Sequence, residues 1–213
     1  MVKALAIAAL TLALAAAAWA QSTSVDLDGR QAAVAETNLG NLVSDAMRTQ
    51  AQAQLALVPA SYLKAVVIPA GPIDSARQEA MLSYPEDRLV VITLSSDQVR
   101  AALERSASLQ PLPNKGFLQV SGLGFWFDAG APAGRRVVRI LGADGRALEA
   151  AARYRVAMPH SLARGALGYF RIFNGSPVTE TNKTMLAALG QYLAAQGQVS
   201  PRVEGRIRSL TAR

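Results

Sequence analysis

Histidine and cysteine, two side chains that often carry nucleophilic and metal chemistry, are almost absent from this chain. Its 213 residues contain one histidine, His160, and no cysteine. A two-metal hydrolytic site needs several imidazole ligands with carboxylates completing the shell, so this chain does not supply one by itself. His160 stands next to Ser161, but no G-x-S-x-G turn is present, and adjacent residues seldom act as nucleophile and base. We therefore expect no catalytic residue and no metal ligand here.

Basic residues are in excess but are not concentrated in one segment. Lysine and arginine total 22 against 15 aspartate and glutamate residues, a net charge of +7 at pH 7. Arginines recur in 135–139, 153–155 and 202–213. This scatter favours a solvated basic surface, and the alternative is attraction to anions such as nucleotides, nucleic acid or acidic envelope polymers. We expect no specific nucleic-acid partner.

The first twenty residues have the composition of an export signal. A short basic start, Met1 to Lys3, precedes an apolar run from Ala4 to Ala18, and Ala18-Trp19-Ala20 has the form of a cleavage site. The run is shorter than the ~20 apolar residues that a transmembrane helix needs. We predict a signal peptide at 1–20, an exported protein in the periplasm or outside the cell, and no membrane span.

Helix and strand patterns alternate after the signal, which predicts one layered α/β domain with a mixed sheet over 21–213. A helix is predicted from Asn38 to about Gln54 after the N-cap residue Thr37, and another after the capping box that begins at Ser95. Strands are predicted at 55–58, 65–68, 89–94, 117–120, 124–128 and 154–158, and a hairpin at 135–149. A final helix is predicted at about 182–195, and 203–207 is either a closing strand or an ordered tail.

Several segments resemble the C-terminal, substrate-binding domain of secreted 5'-nucleotidases and UDP-sugar hydrolases. The run from Glu36 to Met47 matches that family's E-x-x-x-G-N-L-x-x-D-A opening. Leu103-Glu104, the F-L-Q-V-S-G strand at 117–122 and the segment from Tyr154 to Tyr169 follow in the family's order. The resemblance covers about 30–175, which we take as the core of the domain. It implies the mixed α/β fold of that domain.

The resemblance also implies that metal binding and substrate binding belong to two different domains. In full-length members an N-terminal metallophosphatase domain holds two divalent metals, and the C-terminal domain grips base and ribose. This chain resembles the second domain standing alone. Two aromatic rings sandwich the base in that family, and the matching positions here are Tyr84 and Tyr169. The alternative is that both are ordinary half-buried tyrosines.

The polar ligand positions of the family differ in this sequence. Its N-G-G-x-I-R loop matches 59–64, where Pro59 replaces the asparagine and Lys64 replaces the arginine. A further family arginine is matched by Ala33, and Leu167 replaces the aspartate of the G-G-D-G segment. A lysine does not reproduce the bidentate fork of arginine. These changes indicate a retained scaffold with a degenerate ligand site.

The sequence thus predicts an exported, catalytically incomplete domain that serves as the nucleotide-binding half of a split nucleotide-hydrolysing system. The partner would be a separately encoded metallophosphatase that carries the two metals, and the ligand a nucleotide or nucleoside. The alternative is a non-enzymatic binding or structural module of the cell envelope on the same scaffold.

Overall fold

A five-stranded mixed sheet lies at the centre of the computed structural model, which describes residues 21–210. The predicted signal peptide at 1–20 lies outside the described residues. The strands are β1 (Ser22–Thr23), β2 (Leu27–Asp28), β3 (Leu55–Pro59), β4 (Val67–Ile68), β5 (Gly71–Pro72), β6 (Arg88–Ser95), β7 (Leu118–Ser121), β8 (Leu123–Phe127), β9 (Val137–Gly142), β10 (Arg153–Pro159), β11 (Val178–Thr184), β12 (Gln198–Val199) and β13 (Ile207–Ser209). The helices are α1 (Asn38–Gln50), α2 (Ser75–Met81), α3 (Ser96–Ala107), α4 (His160–Ala163), α5 (Phe170–Phe173) and α6 (Met185–Gln196), with short 3₁₀ helices at Ala60–Tyr62 and Ala166–Gly168.

The central sheet has the order β11-β6-β10-β3-β7. Its strand pairs are antiparallel except β10 with β3, which run parallel. A second sheet has the order β13-β8-β9, and two small sheets, β12-β1-β5 and β2-β4, complete the arrangement. This mixed α/β architecture is the fold class that the sequence predicts.

Buried apolar runs explain why β3 and β6 occupy interior positions of the central sheet. Every residue of β3 is buried, and Leu89 to Ile92 of β6 are buried on both faces, as expected for strands covered on two sides. Helix α1 packs on β3 and β7 and against α6, whereas α3 packs on β6 and β9.

The two predicted helix starts are confirmed by their cap hydrogen bonds. The Thr37 hydroxyl accepts from the Gly40 amide at 3.0 Å, so α1 begins where the sequence predicts and ends at Gln50. Ser95 and Gln98 form both hydrogen bonds of a capping box at the start of α3.

Two predicted boundaries near the C-terminal half differ in the structure. The last helix begins at Met185 rather than near Asn182, because Lys183 still pairs with β6 and the Thr184 hydroxyl caps the Ala187 amide at 3.1 Å. The second arm of the predicted 135–149 hairpin is reduced to a single bridge between Leu141 and Ala147. Among residues 21–210, no helix is long and apolar enough to cross a bilayer.

Candidate functional site

Tyr84 stands at an open cleft beside one end of the central sheet. It lies in the Ser83-Tyr84-Pro85 connection between α2 and β6 and is 55% exposed. The cleft has a volume of about 550 Å³, and Ser61, Lys115 and Leu167 are among the residues that line it with Tyr84. The Tyr84 ring leans on Tyr62, with ring centroids 5.1 Å apart and planes inclined by 57°. One aromatic ring is therefore held in place and remains accessible to a ligand.

Asp87 organises the polar wall of this cleft. Its carboxylate accepts a short hydrogen bond from the Tyr62 hydroxyl, and the Ser161 amide lies 3.3 Å from the same oxygen. The other carboxylate oxygen accepts from the Arg88 amide at 2.8 Å. Burial, together with the hydrogen bond to Asp87, raises the pKa of Tyr62, so the phenol keeps its proton.

His160 lies next to this wall but is engaged elsewhere. Its ring faces the Arg88 guanidinium, with 3.3 Å between Nε2 and Nη2, and Arg88 also pairs with Glu180 at 3.1 Å. Ser161 follows His160 at the start of α4. Within the described part of the chain, the His160 ring has no hydrogen bond with the Ser161 hydroxyl, so these neighbours do not form a nucleophile–base pair.

Tyr169 does not share the cleft with Tyr84. Its side chain is fully buried, its ring stacks on Phe173 with centroids 5.4 Å apart, and its hydroxyl donates to the Gly116 carbonyl at 2.7 Å. A ring enclosed in this way has no free face for a base. The expected pair of facing rings, Tyr84 with Tyr169, is absent from this arrangement because packing against α5 holds the second ring in the core.

A turn with left-handed backbone places Leu167 in the lining of the cleft. Gly165, Leu167 and Gly168 have φ values of 94°, 60° and 86°. A Cβ atom on Gly165 would lie 2.4 Å from the Phe170 Cα, so this turn requires glycine there. The turn directs Leu167 to the cleft wall and Tyr169 to the core.

Pro59 and Lys64 lie outside the cleft lining. Pro59 is the buried last residue of β3, and Lys64 is exposed with its Nζ donating to the Glu79 carbonyl at 3.1 Å. Ser61, between them, does line the cleft. The 59–64 loop therefore contributes a hydroxyl to this surface rather than the amide and guanidinium of the family.

An adjoining cavity of about 350 Å³ adds a group that sequence reasoning missed. Arg30, Ala33, Ser61, Tyr84 and Lys115 are among its lining residues. Arg30 stands three positions before Ala33, and its Nη2 pairs with Asp28 at 2.6 Å. Lys115 supplies positive charge beside Tyr84, whereas the charge of Arg30 is paired with Asp28, and no sequence motif marks either residue.

The polar residues of the E-x-x-x-G-N-L-x-x-D motif hold the C-terminal segment instead of a ligand. Glu36 accepts hydrogen bonds from the Glu204 and Ile207 amides at 2.7 and 3.1 Å. Asp45 receives both terminal nitrogens of Arg206 at 2.7 and 2.8 Å. These contacts fasten β13 beside β8, so the motif is a structural element.

The two divalent metals of the full-length family do not fit the residues described here. Residues 21–210 contain no group of three or more histidine, cysteine, aspartate or glutamate side chains placed to hold a metal ion. We therefore assign no step of catalysis to a metal held by this part of the chain.

Comparisons with known proteins agree with the fold and the motif. Residues 16–175 match the family model described as 5'-nucleotidase, C-terminal domain. The crystal structure of a 5'-nucleotidase precursor from Thermus thermophilus superposes with a TM-score of 0.84 at 32% identity, over 90% of this chain and 39% of that one.

Curated relatives are similar over only part of their own length. A snake venom 5'-nucleotidase from Naja atra is 26% identical over 81% of this chain and 36% of the relative. The trifunctional nucleotide phosphoesterase protein YfkN of Bacillus subtilis is 29% identical over 88% of this chain and 14% of the relative. Because the family model covers most of the chain and the structural likeness is close, the chain belongs to the 5'-nucleotidase C-terminal domain family.

Proposed function

We propose that this chain is an exported, catalytically incomplete 5'-nucleotidase-type domain that binds the nucleoside part of a nucleotide against Tyr84. The observation that carries the proposal is the exposed Tyr84 ring, fixed by Tyr62 at a cleft large enough for a nucleoside. Stacking of a base on an aromatic ring contributes about 1–3 kcal/mol and tolerates every base.

The inner wall of the cleft carries carboxylates, so it is better suited to contact a base and ribose than a phosphate group. Glu86 and Asp87 both line that wall, and Asp87 is tied to Tyr62. Carboxylates repel a phosphate, whereas the serine hydroxyls of the cleft can hydrogen-bond base edges or ribose. The phosphate would then point outward, toward Lys115 or a second protein.

Hydrolysis would need a partner under this proposal. A separately encoded metallophosphatase would supply the two divalent metals, and this chain would present the nucleotide to it. The full-length relatives named above are much longer than the matched region, which supports a second functional unit. The export signal predicted at 1–20 supports a periplasmic or extracellular setting.

Calorimetric titration with adenosine, AMP and UDP-glucose tests the role of Tyr84. We expect saturable binding that Tyr84→Ala weakens by roughly 5- to 150-fold, the equivalent of the stacking energy. Phe170→Ala is the matched control, because Phe170 is a similarly exposed ring, 59% against 55%, that is not among the cleft-lining residues. Nucleotidase activity of a mixture with the partner phosphatase should fall in the same variant.

Absence of binding heat at millimolar nucleotide would contradict this function. So would a Tyr84→Ala variant that binds as tightly as the Phe170→Ala control. A mixture that neither co-purifies nor gains nucleotidase activity would contradict the split-enzyme part of the proposal alone.

A second candidate function is a non-enzymatic envelope module on the same scaffold. The enclosed Tyr169 ring and the position of Lys64 outside the cleft favour this candidate, because the family's second ring and guanidinium are both missing from the ligand surface. It predicts an intact fold with no nucleotide binding in the same titration.

A further inference from the structure

A further cavity lies at the end of β3 opposite the Tyr84 cleft. Gly122, which lines it, packs on the Gln54 carbonyl just before β3 begins, whereas Ser61 and Tyr62 of the cleft follow the end of β3. The cavity has a volume of about 400 Å³ and shares no lining residue with the cleft. The proposed nucleotide function does not use it.

Trp126 and two arginines form a row across the β13-β8-β9 sheet. Trp126 pairs with Arg139 on β9 and with Arg208 on β13, so the three side chains share one face. The guanidinium carbons of Arg139 and Arg208 lie 5.5 and 5.6 Å from the Trp126 ring centroid. Cation–π contact orients both cations, and of the two Arg208 lines the cavity.

Gly124 opens the space next to this row. It lies two residues before Trp126 on β8 and therefore faces the same side of the sheet. Gly124, Trp126 and Arg206 all line the cavity, and a Cβ atom on Gly124 would lie 3.2 Å from the Arg206 carbonyl oxygen.

A hydrogen-bond chain fixes Arg48 at the other side of the cavity. Arg48 Nε donates to the Ser121 hydroxyl at 2.7 Å, and that hydroxyl donates in turn to Asp45. Arg208 is held similarly, through Nε to the Gly205 carbonyl at 3.0 Å. Both arginines are thus oriented through Nε, and within 21–210 their terminal nitrogens make no hydrogen bond to the protein.

The charges at the cavity leave a net positive surface. Its carboxylates, Asp45 and Glu204, are both paired with Arg206, at 2.7 and 2.8 Å. Among residues 21–210, no carboxylate lies within ion-pair distance of Arg48, Arg139 or Arg208. Two guanidinium groups without a carboxylate partner in this range, those of Arg48 and Arg208, therefore line one cavity, and Arg139 lies on the Trp126 ring that borders it.

We propose that this cavity is a binding site for the phosphate group of a small phosphate-bearing molecule. Guanidinium groups bind phosphate through paired, charge-assisted N–H···O hydrogen bonds, and the free terminal nitrogens of Arg48 and Arg208 are the donors. Arg139 adds positive potential from across Trp126. The ligand source is either free inorganic phosphate or a phosphate ester.

Tryptophan fluorescence provides a direct test, because Trp19 and Trp126 are the two tryptophans of the chain. In the full chain carrying Trp19→Phe, titration with inorganic phosphate at constant ionic strength should change Trp126 emission saturably. Arg208→Gln, at an exposed residue, should weaken the affinity for phosphate tenfold or more, and Arg48→Gln should do the same. Arg171→Gln, at an exposed arginine outside this cavity, should not.

A second titration, with glycerol phosphate, distinguishes the two sources of the phosphate group. Glycerol, which lacks the phosphate, is the control ligand. Tighter binding of glycerol phosphate than of inorganic phosphate assigns the site to phosphate esters, and equal binding assigns it to the free anion. No saturable change at millimolar phosphate, or equal weakening by Arg208→Gln and Arg171→Gln, would overturn the proposal. Tyr84→Ala should leave this titration unchanged, so failure here is distinct from failure of the nucleotide function.

Discussion

At the residue scale, the two tyrosines of the family's ligand positions have different environments. Tyr84 presents its ring to solvent, whereas Tyr169 is fully buried and donates to a backbone carbonyl. Desolvation raises the pKa of Tyr169, since the phenolate would be buried without water. Tyr169 therefore contributes to stability, and Tyr84 is the residue available to a ligand.

Tyr169→Phe should separate these roles. It removes the hydrogen bond to the Gly116 carbonyl, and we expect a loss of about 1–2 kcal/mol in unfolding free energy with no change in nucleotide binding. A folded-state pKa above the unfolded value of about 10 means that wild-type stability falls as pH rises past 10. The variant should show a smaller fall than the wild type as pH rises above about 10 in urea titrations, and no difference in slope below that pH. Equal pH profiles for the two proteins would contradict this account.

The sequence predicts helix caps and buried strands correctly, because these depend on local residue types. It does not predict the direction of a side chain that depends on the backbone of the turn before it. The Thr37 and Ser95 caps follow from local chemistry and are present. The sequence predicts the motif position of Tyr169, but the direction of its ring follows from the left-handed φ at Leu167, which the residues Ala-Leu-Gly do not specify. Lys115 reaches the cleft only through the tertiary fold.

At the element scale, the first turn of α1 is fitted closely against β7. Gln119 of β7 is fully buried, accepts from the Thr37 amide at 3.0 Å and donates to the Ala32 and Ala35 carbonyls. A Cβ atom on Gly40 would lie 2.2 Å from the Gln119 Oε1. The glycine of the motif is therefore required by the approach of helix to strand.

Gly40→Ala should destabilise the protein by about 2–4 kcal/mol, because Gln119 cannot move without breaking buried hydrogen bonds. Gly190→Ala in α6 is the matched control. Its Cβ atom would meet the end of the Gln78 side chain at 2.9 Å, which can move at the cost of one partly buried hydrogen bond to Gln21. The gain in helix propensity offsets that cost, so the variant should lie within about 1 kcal/mol of the wild type. Thermal unfolding of both variants measures the difference, and equal losses would argue against a specific clash at Gly40.

At the scale of the whole molecule, the C-terminal segment completes the fold. Glu36 is 7% exposed and is bonded to the Asn41 amide group and to the backbone of 204 and 207. Arg206 extends the same connection to Asp45. The family motif at the start of the domain and the last strand thus depend on each other.

Glu36→Gln tests this dependence. Three N–H donors meet the two carboxylate oxygens, so an amide nitrogen in place of one oxygen would face a donor, at an expected cost of about 1–3 kcal/mol. Hydrogen exchange at the Glu204 and Ile207 amides should accelerate. Glu79→Gln, at an exposed carboxylate, is the control and should change neither quantity. Unchanged exchange in Glu36→Gln would show that the segment is held by other contacts.

The distance in sequence between Glu36 and its donors sets an order of events during synthesis. The backbone amides that bind this carboxylate are 168 and 171 residues further along the chain. A nascent polypeptide that has not yet reached them leaves Glu36 with Asn41 as its local donor and with water in place of the two backbone amides. Contacts of such separation also slow folding, since a long loop must close first. These two contacts of Glu36 therefore form only after the chain has been made as far as Ile207.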